Sequence, residues 1–438
     1  MPGGAYGQKN LLSFLALRIR EISLLFVPVQ GGGMEIFMKF TDQKFIPVLF
    51  GNDINVYSVA RAFYEKYKVR SKVFGKALFG PCYKSKMIDF TEIADIDTPE
   101  ILLEVLNSYA KEHAQKRIIA IGCGDNYVKC IATSKEALRA NVIAPYSDYD
   151  FLENLMDKEK FYALLEKHGI EFPATCIATA LSRDEINVHF EPPYILKPAN
   201  QVEYYKHKFD GQKKVFKLDS LDELKKTLRK VYNAGYTDRM IIQEFIPGDD
   251  TFMRVLTCYS DRNAKVKMMC LGHVLLEEHT PYGIGNHAVI ITEYDAKLME
   301  SFKDLLESIG YVGFSNFDIK YDSRDNKYKA FEINTRQGRS NFYVTGSGHN
   351  IAELIVNEYI LGEQLDEDIA RNEYLWMVVP KGVAFKYAPA YKSRMKRLIR
   401  DKKYVNPLFF KEDDDIERRL RLCKSQLGHF VKYHKYMK

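Results

Sequence analysis

Two neighbouring segments, FSNFDIKY (314–321) and YKAFEIN (328–334), predict a pair of β-strands joined by a polar turn. The first strand carries Asp318, and the second carries Glu332 and Asn334. Residues two apart in a strand share a face, so we expect Glu332 and Asn334 to point to one side, with Asp318 beside them on the paired strand. Hard oxygen donors in such a group suit Mg²⁺ ions that bridge nucleotide phosphates.

A structural ion-pair cluster is the alternative interpretation of this hairpin. Buried carboxylates need a metal ion or an arginine, because an unpaired buried charge is costly. Arg336 and Arg339 follow directly, in NTRQGRS (334–340). The hairpin alone leaves both interpretations open.

Lysines upstream of the hairpin suit contacts to phosphate. Asp157 and Lys158 open a predicted helix that runs to Gly169, and the strand YILKP (194–198) ends by presenting Lys197. The basic stretch KHKFDGQKK (206–214) carries a glycine between two β-like segments and can cover phosphates. An exposed helix residue and a plain hairpin tip are the structural alternatives.

The segment MIIQEFIPGDD (240–250) predicts a strand that leaves a domain as a hinge. The backbone of such a strand can read an adenine edge, and the carboxylate of Asp250 can hold ribose hydroxyls. Pro-Gly-Asp is also ordinary turn chemistry, which is the structural alternative.

The first part of the chain alternates strand and helix patterns, which predicts a parallel sheet covered by helices. The apolar runs FIPVLFG (45–51) and RIIAIG (117–122) are the predicted strands, and the helical patterns follow at 56–67, 102–113 and 125–139. Gly122-Cys123-Gly124-Asp125 lies at a strand-to-helix turn. A lone GxG is weak evidence for a dinucleotide site, so we favour a structural turn.

Length and composition describe an ordinary globular protein of several domains. The chain has 438 residues, of which 46% are hydrophobic and 28% charged, and these proportions exclude a collagen, a coiled coil or a disordered chain. No long apolar run is free of charges, so we expect no membrane span and at most peripheral membrane contact. Seven scattered cysteines without a CxxC motif predict free thiols and a cytoplasmic location, with the inner face of the membrane as the alternative position.

The net charge of +6 comes from the C-terminal tail. Residues 381–438 contain 17 Lys/Arg and 6 Asp/Glu, and the remainder of the chain is slightly acidic. The segment KSRMKRLIR (392–400) predicts a basic helix that captures an anionic substrate, with a solvated helix as the alternative. We expect no nucleic-acid partner, because no finger, RNP or helix-turn-helix signature accompanies the charge.

Taken in order, these residues resemble the ATP-grasp superfamily over about residues 44–360. The resemblance implies ATP as a substrate and two Mg²⁺ ions held by Asp318, Glu332 and Asn334. It implies phosphate contacts from Lys158 and Lys197, and ribose contact from Asp250. It also implies an adenine site formed by Gln243, Glu244, Phe245 and Ile246. Finally, it implies that Arg336, with Arg254 or Arg339, holds the carboxylate and the acyl phosphate.

The same resemblance implies an α/β fold, α+β in parts, with a division into domains. A pre-ATP-grasp Rossmann-like domain would span 44–150. The ATP-grasp domain would span 151–361, with a mobile small subdomain at about 173–244. A basic helical extension would span 362–438. Residues 1–43 are an extension, and the Gly triplet before Met34 suggests that translation starts at Met34 or Met38.

Longer stretches, such as MIIQEFIPGDDTFMRVL (240–256), resemble the bacterial D-aspartate ligase family. That resemblance implies that the chain joins D-aspartate to the stem-peptide lysine of a UDP- or lipid-linked peptidoglycan precursor. A ligase for a different amino acid or small peptide is the alternative. A non-catalytic nucleotide sensor would be expected to lack a metal ligand or the arginine, and all are present here.

Substrate choice is expected to lie in LGHVLLEEHTPYGIGNHAVI (271–290) and in the segment after Arg336. Single histidines are more often packed or exposed polar residues than ligands. The candidates for contact with a dicarboxylic amino acid are His273, Asn286, His287, Arg339, Ser340 and Asn341.

Overall fold

The computed structural model describes residues 44–78, 80–281 and 283–437. The described residues belong to one compact unit that begins at Lys44. The proposed extension at 1–43, and with it the suggested start at Met34, lies outside the described residues. All seven cysteines are free thiols, as predicted. Among the described helices, none has the length and apolar character needed to cross a bilayer.

The first sheet contains five parallel strands in the order β3-β2-β1-β4-β5, which confirms the predicted parallel α/β arrangement. Its strands are β1 (Phe45–Phe50), β2 (Ser71–Gly75), β3 (Ile88–Glu92), β4 (Arg117–Gly122) and β5 (Val142–Ile143), and its helices are α1 (Ile54–Tyr67), α2 (Pro99–Glu112) and α3 (Asp125–Thr133). The third helix is shorter than predicted because it ends at Thr133, and its C-cap Ser134 leads into a separate 3₁₀ turn at Lys135–Ala137.

A four-stranded antiparallel sheet in the order β6-β9-β7-β8 follows in the chain. The elements of this region are α4 (Tyr149–Met156), α5 (Lys158–Lys167), β6 (Thr175–Ala178), β7 (Tyr194–Pro198), α6 (Gln201–Lys206), β8 (Phe216–Leu218), α7 (Leu221–Asn233) and β9 (Met240–Glu244). The helix at α6 replaces the β-like segment predicted before Gly211, because Asn200 caps it through the Glu203 N–H. Gly211 has a φ of +77°, which favours glycine.

The largest sheet has eight strands and contains the hairpin quoted first. Its order is β14-β13-β10-β11-β12-β16-β17, and β15 pairs with β11. The strands are β10 (Met253–Ser260), β11 (Val266–Glu277), β12 (His287–Glu293), β13 (Gly313–Asp322), β14 (Lys327–Asn334), β15 (Asp368–Ile369), β16 (Leu375–Met377) and β17 (Tyr404–Val405). The predicted strands at 314–321 and 328–334 are therefore confirmed as β13 and β14.

Hydrophobic side chains cover both faces of this largest sheet. On one face Val255 packs in the cluster that contains Tyr343, and on the other Leu256 packs in the cluster that contains Phe302. The helices after β12 are α8 (Ala296–Ser308), α9 (Phe342–Gly346), α10 (Ile351–Val356), α11 (Lys381–Tyr387), α12 (Lys392–Arg400) and α13 (Ile416–Tyr436). Adjacent strand residues thus serve opposite faces, which decides where the polar side chains of this sheet can act.

The C-terminal tail is helical at its end, as expected, but it also contributes strands. The short strands Leu375–Met377 and Tyr404–Val405 extend the largest sheet, with Trp376 fully buried. The tail is therefore integrated into the core. The predicted basic helix at 392–400 is confirmed as α12, and two of its cations, Arg394 and Arg397, pair with Glu373.

Candidate active site

The β13–β14 hairpin brings the predicted oxygen donors together. Asp318 lies directly opposite Glu332, and Asn316 lies opposite Asn334. The amide Nδ2 of Asn334 donates to Asp318 Oδ2 at 3.3 Å. Burial raises the pKa of Asp318, and the nearby charges of Glu332 and Glu277 raise it further. A bound cation would offset these effects, because a nearby positive charge favours the ionised carboxylate.

The two predicted lysines meet this hairpin from different elements. Asp157 caps α5 and so places Lys158 in its first turn, where the Lys158 Nζ lies 2.8 Å from Glu332 Oε2. Lys197 is on β7, and its Nζ lies 5.9 Å from the centre of the Phe331 ring. The charge of Lys158 holds the pKa of Glu332 low, at about 2. Burial lowers the pKa of Lys197 to about 7, and the charge of Lys158 acts in the same direction.

The predicted hinge is held by its own side chains. Gln243 is buried, and its Nε2 donates to the Tyr162 hydroxyl at 2.7 Å and to Thr175 Oγ1 at 3.0 Å. The carboxylate of Glu244 accepts from Lys329 at 2.9 Å and from Arg324 at 2.7 Å. These side chains hold β9 against the neighbouring elements. A contact of this segment with adenine would therefore come from its backbone N–H and C=O groups.

Phe245 and Ile246 follow the end of that strand. Two ammonium groups lie over the Phe245 ring, with Lys217 Nζ at 4.1 Å and Lys320 Nζ at 5.7 Å from its centre. Ile246 is buried. An aromatic ring flanked by cations offers an apolar surface beside positive charge, which suits a nucleotide.

Asp250 lines a cavity of about 360 Å³ that also borders Lys320 and the end of α13. Its Oδ2 accepts from the Glu277 N–H at 2.8 Å and from His279 Nε2 at 2.8 Å. Burial raises the pKa of Glu277 to about 7, and the charge of Asp250 raises it further. The predicted ribose ligand therefore faces an open space but is already engaged by one side chain and one backbone group.

Arg336 makes a contact with the first sheet that the sequence did not reveal. Its Nε and Nη2 donate to the two carboxylate oxygens of Asp125 at 2.7 and 3.0 Å, and Nη2 also lies 3.4 Å from Asn334 Oδ1. Asp125 opens α3 directly after the GxG turn. This bidentate pair joins the first sheet to the hairpin.

The GxG turn itself serves packing, as favoured. A Cβ added to Gly122 would lie 2.7 Å from the Val128 backbone nitrogen, so the strand and helix approach too closely for any side chain there. The turn therefore positions Asp125, and through it Arg336.

Arg254 and His273 lie on the opposite face of the sheet from Asp318. Val255 is the residue opposite Asp318, so the adjacent Arg254 points to the other side. There Arg254 pairs with Glu293, and His273 Nε2 contacts the Thr251 carbonyl at 2.7 Å. The predictions that Arg254 acts on the acyl group and that His273 contacts substrate do not agree with this geometry. Both residues have structural partners instead.

Arg339 and His287 lie near the cluster. His287 Nε2 is 3.7 Å from Glu277 Oε1 and 4.0 Å from Asp318 Oδ1. Burial lowers the pKa of His287 to about 4, and the positive charge of Arg339 lowers it further, so this imidazole is neutral near pH 7. Within the described part of the chain, no carboxylate lies within 4.0 Å of the Arg339 guanidinium.

The remaining substrate candidates are engaged in the fold. Asn341 is fully buried and its Nδ2 donates to Asn55 Oδ1 at 2.7 Å, which ties the segment before α9 to the start of α1. Ser340 is buried. Asn286 closes the loop between β11 and β12 through backbone bonds, its carbonyl accepting from the Glu278 N–H at 2.8 Å. Direct contact of Ser340 or Asn341 with a substrate does not agree with this burial.

Sequence reasoning did not single out several residues that lie near the cluster. Glu277 lies in the segment 271–290, and its position at the end of an apolar strand could have marked it as a site residue. Asp125 had only the weak GxG pattern. Lys214 ends the basic stretch 206–214 and Lys320 lies in the strand 314–321, so both were inside segments of interest without being singled out. No local pattern marked the others, because distant segments bring them in: Asp53, His429 and Tyr433.

Comparisons with known proteins identify the family and the fold of this chain. The ATP-grasp domain family matches residues 155–340. The D-aspartate ligase of Enterococcus faecium (strain Aus0004) is 38% identical over 416 residues, which cover 90% of this chain and 97% of that enzyme. An ADP complex of purK, an N5-carboxyaminoimidazole ribonucleotide synthetase, has a TM-score of 0.56 at 12% identity, covering 90% of this chain and 98% of that one. The phosphoribosylamine–glycine ligase of Thermotoga maritima has a TM-score of 0.51 at 17% identity, covering 75% and 79%.

The three-sheet fold and the lysine–carboxylate cluster define an ATP-grasp enzyme, an ATP-dependent carbon–nitrogen ligase. The extent and identity of the match to the curated enzyme are more specific than the fold. The chain belongs to the D-aspartate ligase family.

Proposed function

We propose that this ligase activates the β-carboxyl of D-aspartate and joins it to the stem-peptide lysine of a UDP- or lipid-linked peptidoglycan precursor. The observation that carries the substrate assignment is the set of charges around Asp318 and the neighbouring His287. Two guanidinium groups, of Arg336 and Arg339, match the two carboxylates of aspartate. Glu277 offers a negative group for the ammonium. The family relationship supports the same amino acid.

The ATP site in this proposal uses the residues that surround the hairpin. Lys158 and Lys197 hold the phosphates. Lys214 lies near the same site, because its charge also lowers the pKa of Glu332, although less than the charges of Lys158 and Lys197 do. The backbone from Gln243 to Ile246 reads adenine beside the Phe245 ring, and Asp250 holds ribose. Neutralisation of phosphate charge by preorganised cations is the main source of catalysis in phosphoryl transfer.

The hairpin donors fit Mg²⁺. Two carboxylates directly opposite each other, with an amide two residues along, are oxygen ligands of the kind that Mg²⁺ prefers. Burial and the charges of Glu332 and Glu277 raise the pKa of Asp318, and a cation held there would favour its ionised form. Asp318, Glu332 and Asn334 would hold two ions. When bound, these ions neutralise and orient the ATP phosphates.

The reaction joins two groups that do not combine by themselves, since a carboxylate lacks a leaving group. A β-carboxylate oxygen attacks the γ-phosphorus of ATP, which forms an acyl phosphate and releases ADP. The lysine amine then attacks the acyl carbon, and inorganic phosphate leaves as the amide forms. Arg336 stabilises the acyl phosphate and the oxyanion that develops at its carbon.

Closure of a small subdomain at about 173–244 over ATP would exclude water, which otherwise hydrolyses the acyl phosphate. This subdomain belongs to an ATP-grasp domain at 151–361, between a pre-ATP-grasp domain at 44–150 and a C-terminal extension at 362–438. We place the enzyme in the cytoplasm, where ATP and the precursor are available. The basic tail would help to capture the anionic precursor.

The proposal is tested by phosphate release from ATP and Mg²⁺ in the presence of UDP-MurNAc-pentapeptide. D-Asp, L-Asp, D-Asn and other amino acids are offered in turn. We expect release with D-Asp and a product heavier by one aspartyl residue. Release with another amino acid or a small peptide would keep the ligase chemistry but replace the proposed substrate.

Replacing Arg339 by Ala should raise the apparent KM for the amino acid by about tenfold or more, with little change in the KM for ATP. The reason is that a charge-assisted contact to a carboxylate contributes about 1.5–3 kcal/mol. Steady-state kinetics with each substrate varied measures both values. The exposed Arg371, replaced by Ala, is the matched control. Equal effects on the two KM values would contradict the role.

Lys197 should make ADP binding depend on pH. Its pKa of about 7 means that the ammonium loses its charge as the pH rises through neutrality, so the affinity for ADP in EDTA should fall between about pH 7 and pH 9. Lys197→Arg should weaken this fall, since a guanidinium stays charged. Titration calorimetry measures the affinities, with Lys226→Arg as the control. The same pH profile in all three proteins would exclude Lys197 as a phosphate ligand.

A further inference from the structure

The last helix, α13, is anchored to the protein by one face. Leu422 and Tyr433 are buried, and the Tyr433 hydroxyl donates to the Glu277 carbonyl at 2.7 Å. Gln426 Nε2 donates to the Val378 carbonyl at 2.8 Å. Arg418 is also buried and pairs with Asp413 at 3.2 Å. These contacts fix which side of the helix faces outward.

The outward side of α13 is apolar. At 100° per residue, five large hydrophobic side chains fall within an arc of about 100°, roughly opposite the anchored face. Their exposed fractions are high: Ile416 77%, Leu420 66%, Leu427 67%, Phe430 44% and Val431 70%. We call these five residues the outer stripe. A continuous exposed stripe of this kind marks an interaction surface, whereas single exposed apolar residues do not.

The charge around the outer stripe is mostly positive, because Glu417 is the single acidic residue of α13 and it pairs with Lys84. From Arg418 to Lys438 the sequence contains seven Lys/Arg and no Asp or Glu. On the helical projection Lys424 and Lys435 border the stripe on one side and Arg419 on the other. Arg419 is paired with Asp414, whereas Lys424 and Lys435 are exposed.

This charge decides between two occupants of the outer stripe. A second copy of α13 would bring two strongly basic helices together, and the like charges would oppose the association. An anionic bilayer offers apolar depth to the stripe and negative headgroups to the flanking lysines. We propose that α13 is a membrane-surface helix that docks the enzyme on an anionic lipid bilayer through the outer stripe.

The docking surface lies directly behind the candidate active site. Tyr433 contacts Glu277 from the inner face of the same helix whose outer face carries the stripe. Binding to a bilayer would therefore hold the site close to the membrane surface. This inference is independent of the amino acid and acceptor proposed above.

The test is co-sedimentation of the full-length protein with vesicles, compared with a variant that carries Leu420→Ser, Leu427→Ser and Val431→Ser. Vesicles of phosphatidylglycerol and phosphatidylcholine should bind the wild type, and vesicles of phosphatidylcholine alone should bind it at least about tenfold less. High salt should weaken the binding, because the lysine contribution is screened. The triple variant should partition onto the vesicles at least about tenfold less, since each serine replaces a large apolar side chain that the bilayer would bury.

The control variant carries Leu181→Ser and Leu361→Ser, which are exposed leucines away from α13. It should bind vesicles as the wild type does. Unfolding midpoints of both variants should match that of the wild type, because all five positions are exposed. Unchanged vesicle binding by the triple variant would overturn the proposal. So would a wild type that ignores vesicles and is a dimer in solution while the triple variant is a monomer, since the stripe would then join two copies.

Discussion

Replacing Asp318 by Asn is expected to lower kcat for ADP formation by about 10²–10³-fold. A metal that bridges phosphates supplies several kcal/mol of charge stabilisation, and each 1.36 kcal/mol corresponds to about tenfold in rate. The asparagine keeps the shape of the side chain but removes the charge opposite Glu332. Coupled-enzyme kinetics over a range of Mg²⁺ concentrations measures the effect, and we expect a higher Mg²⁺ requirement as well as a lower kcat.

The matched control for this prediction is Asp325→Asn in the turn of the same hairpin. Asp325 is partly exposed and lies 3.5 Å from Lys329, outside the cluster. Its replacement should leave kcat within about twofold, because a surface ion pair contributes little. If Asp318→Asn and Asp325→Asn gave similar rates at every Mg²⁺ concentration, the hairpin would not be the metal site.

Replacing Arg336 by Lys should lower kcat for amide formation by about 10²-fold or more while the affinity for ADP changes little. The guanidinium uses Nε and Nη2 for Asp125 and Nη1 for the Gln337 carbonyl, which leaves one N–H of Nη1 for an acyl phosphate. A single ammonium cannot serve all of these groups. Loss of one preorganised donor to a developing oxyanion typically costs about 10²–10³-fold. Steady-state assay of the amide product, with ADP affinity from calorimetry, measures the two quantities.

Asp125→Asn separates the chemical role of Arg336 from its structural one. The asparagine keeps one hydrogen bond to Arg336 but loses the bidentate ion pair, so we expect a loss of at most about tenfold in kcat. The exposed Arg229→Lys, whose partner is Asp184, is the control for a general arginine effect. Equal losses in Arg336→Lys and Asp125→Asn, with equally lowered unfolding midpoints, would mean that the pair only holds α3 to the hairpin.

Local sequence patterns were enough for the elements that depend on neighbours in the chain. The alternation of apolar runs and helical patterns predicted the parallel sheet, and period-two spacing predicted that Glu332 and Asn334 share a face. Asp157 before Lys158 predicted a helix start, and the structure has that carboxylate as its cap. Helix caps and strand faces are set within a few residues, so the sequence carries them directly.

Strand pairing explains where the predictions for single residues failed. In the register of β10 against β13, Val255 lies opposite Asp318. The adjacent Arg254 therefore points to the other face of the sheet. Ser340 and Asn341 follow the hairpin as expected, but packing against α1 uses them inside the fold. A one-residue change in the register of β10 against β13 would reverse the face of Arg254, and no local pattern in the sequence specifies that register.

Short-range spacing in the sequence was enough for the α/β class and for the shared face of the hairpin donors, whereas the order of the proposed ATP-site residues came from the resemblance to the ATP-grasp superfamily. The tertiary structure alone decided which arginine meets the hairpin, since Asp125 and Arg336 are 211 residues apart. It also decided that Tyr433 lies against Glu277 and that the other side of α13 faces outward. Contacts between residues so far apart in the chain form only when the chain packs. The sequence contains many other arginines and carboxylates that could form such pairs, and only the folded geometry shows which ones do.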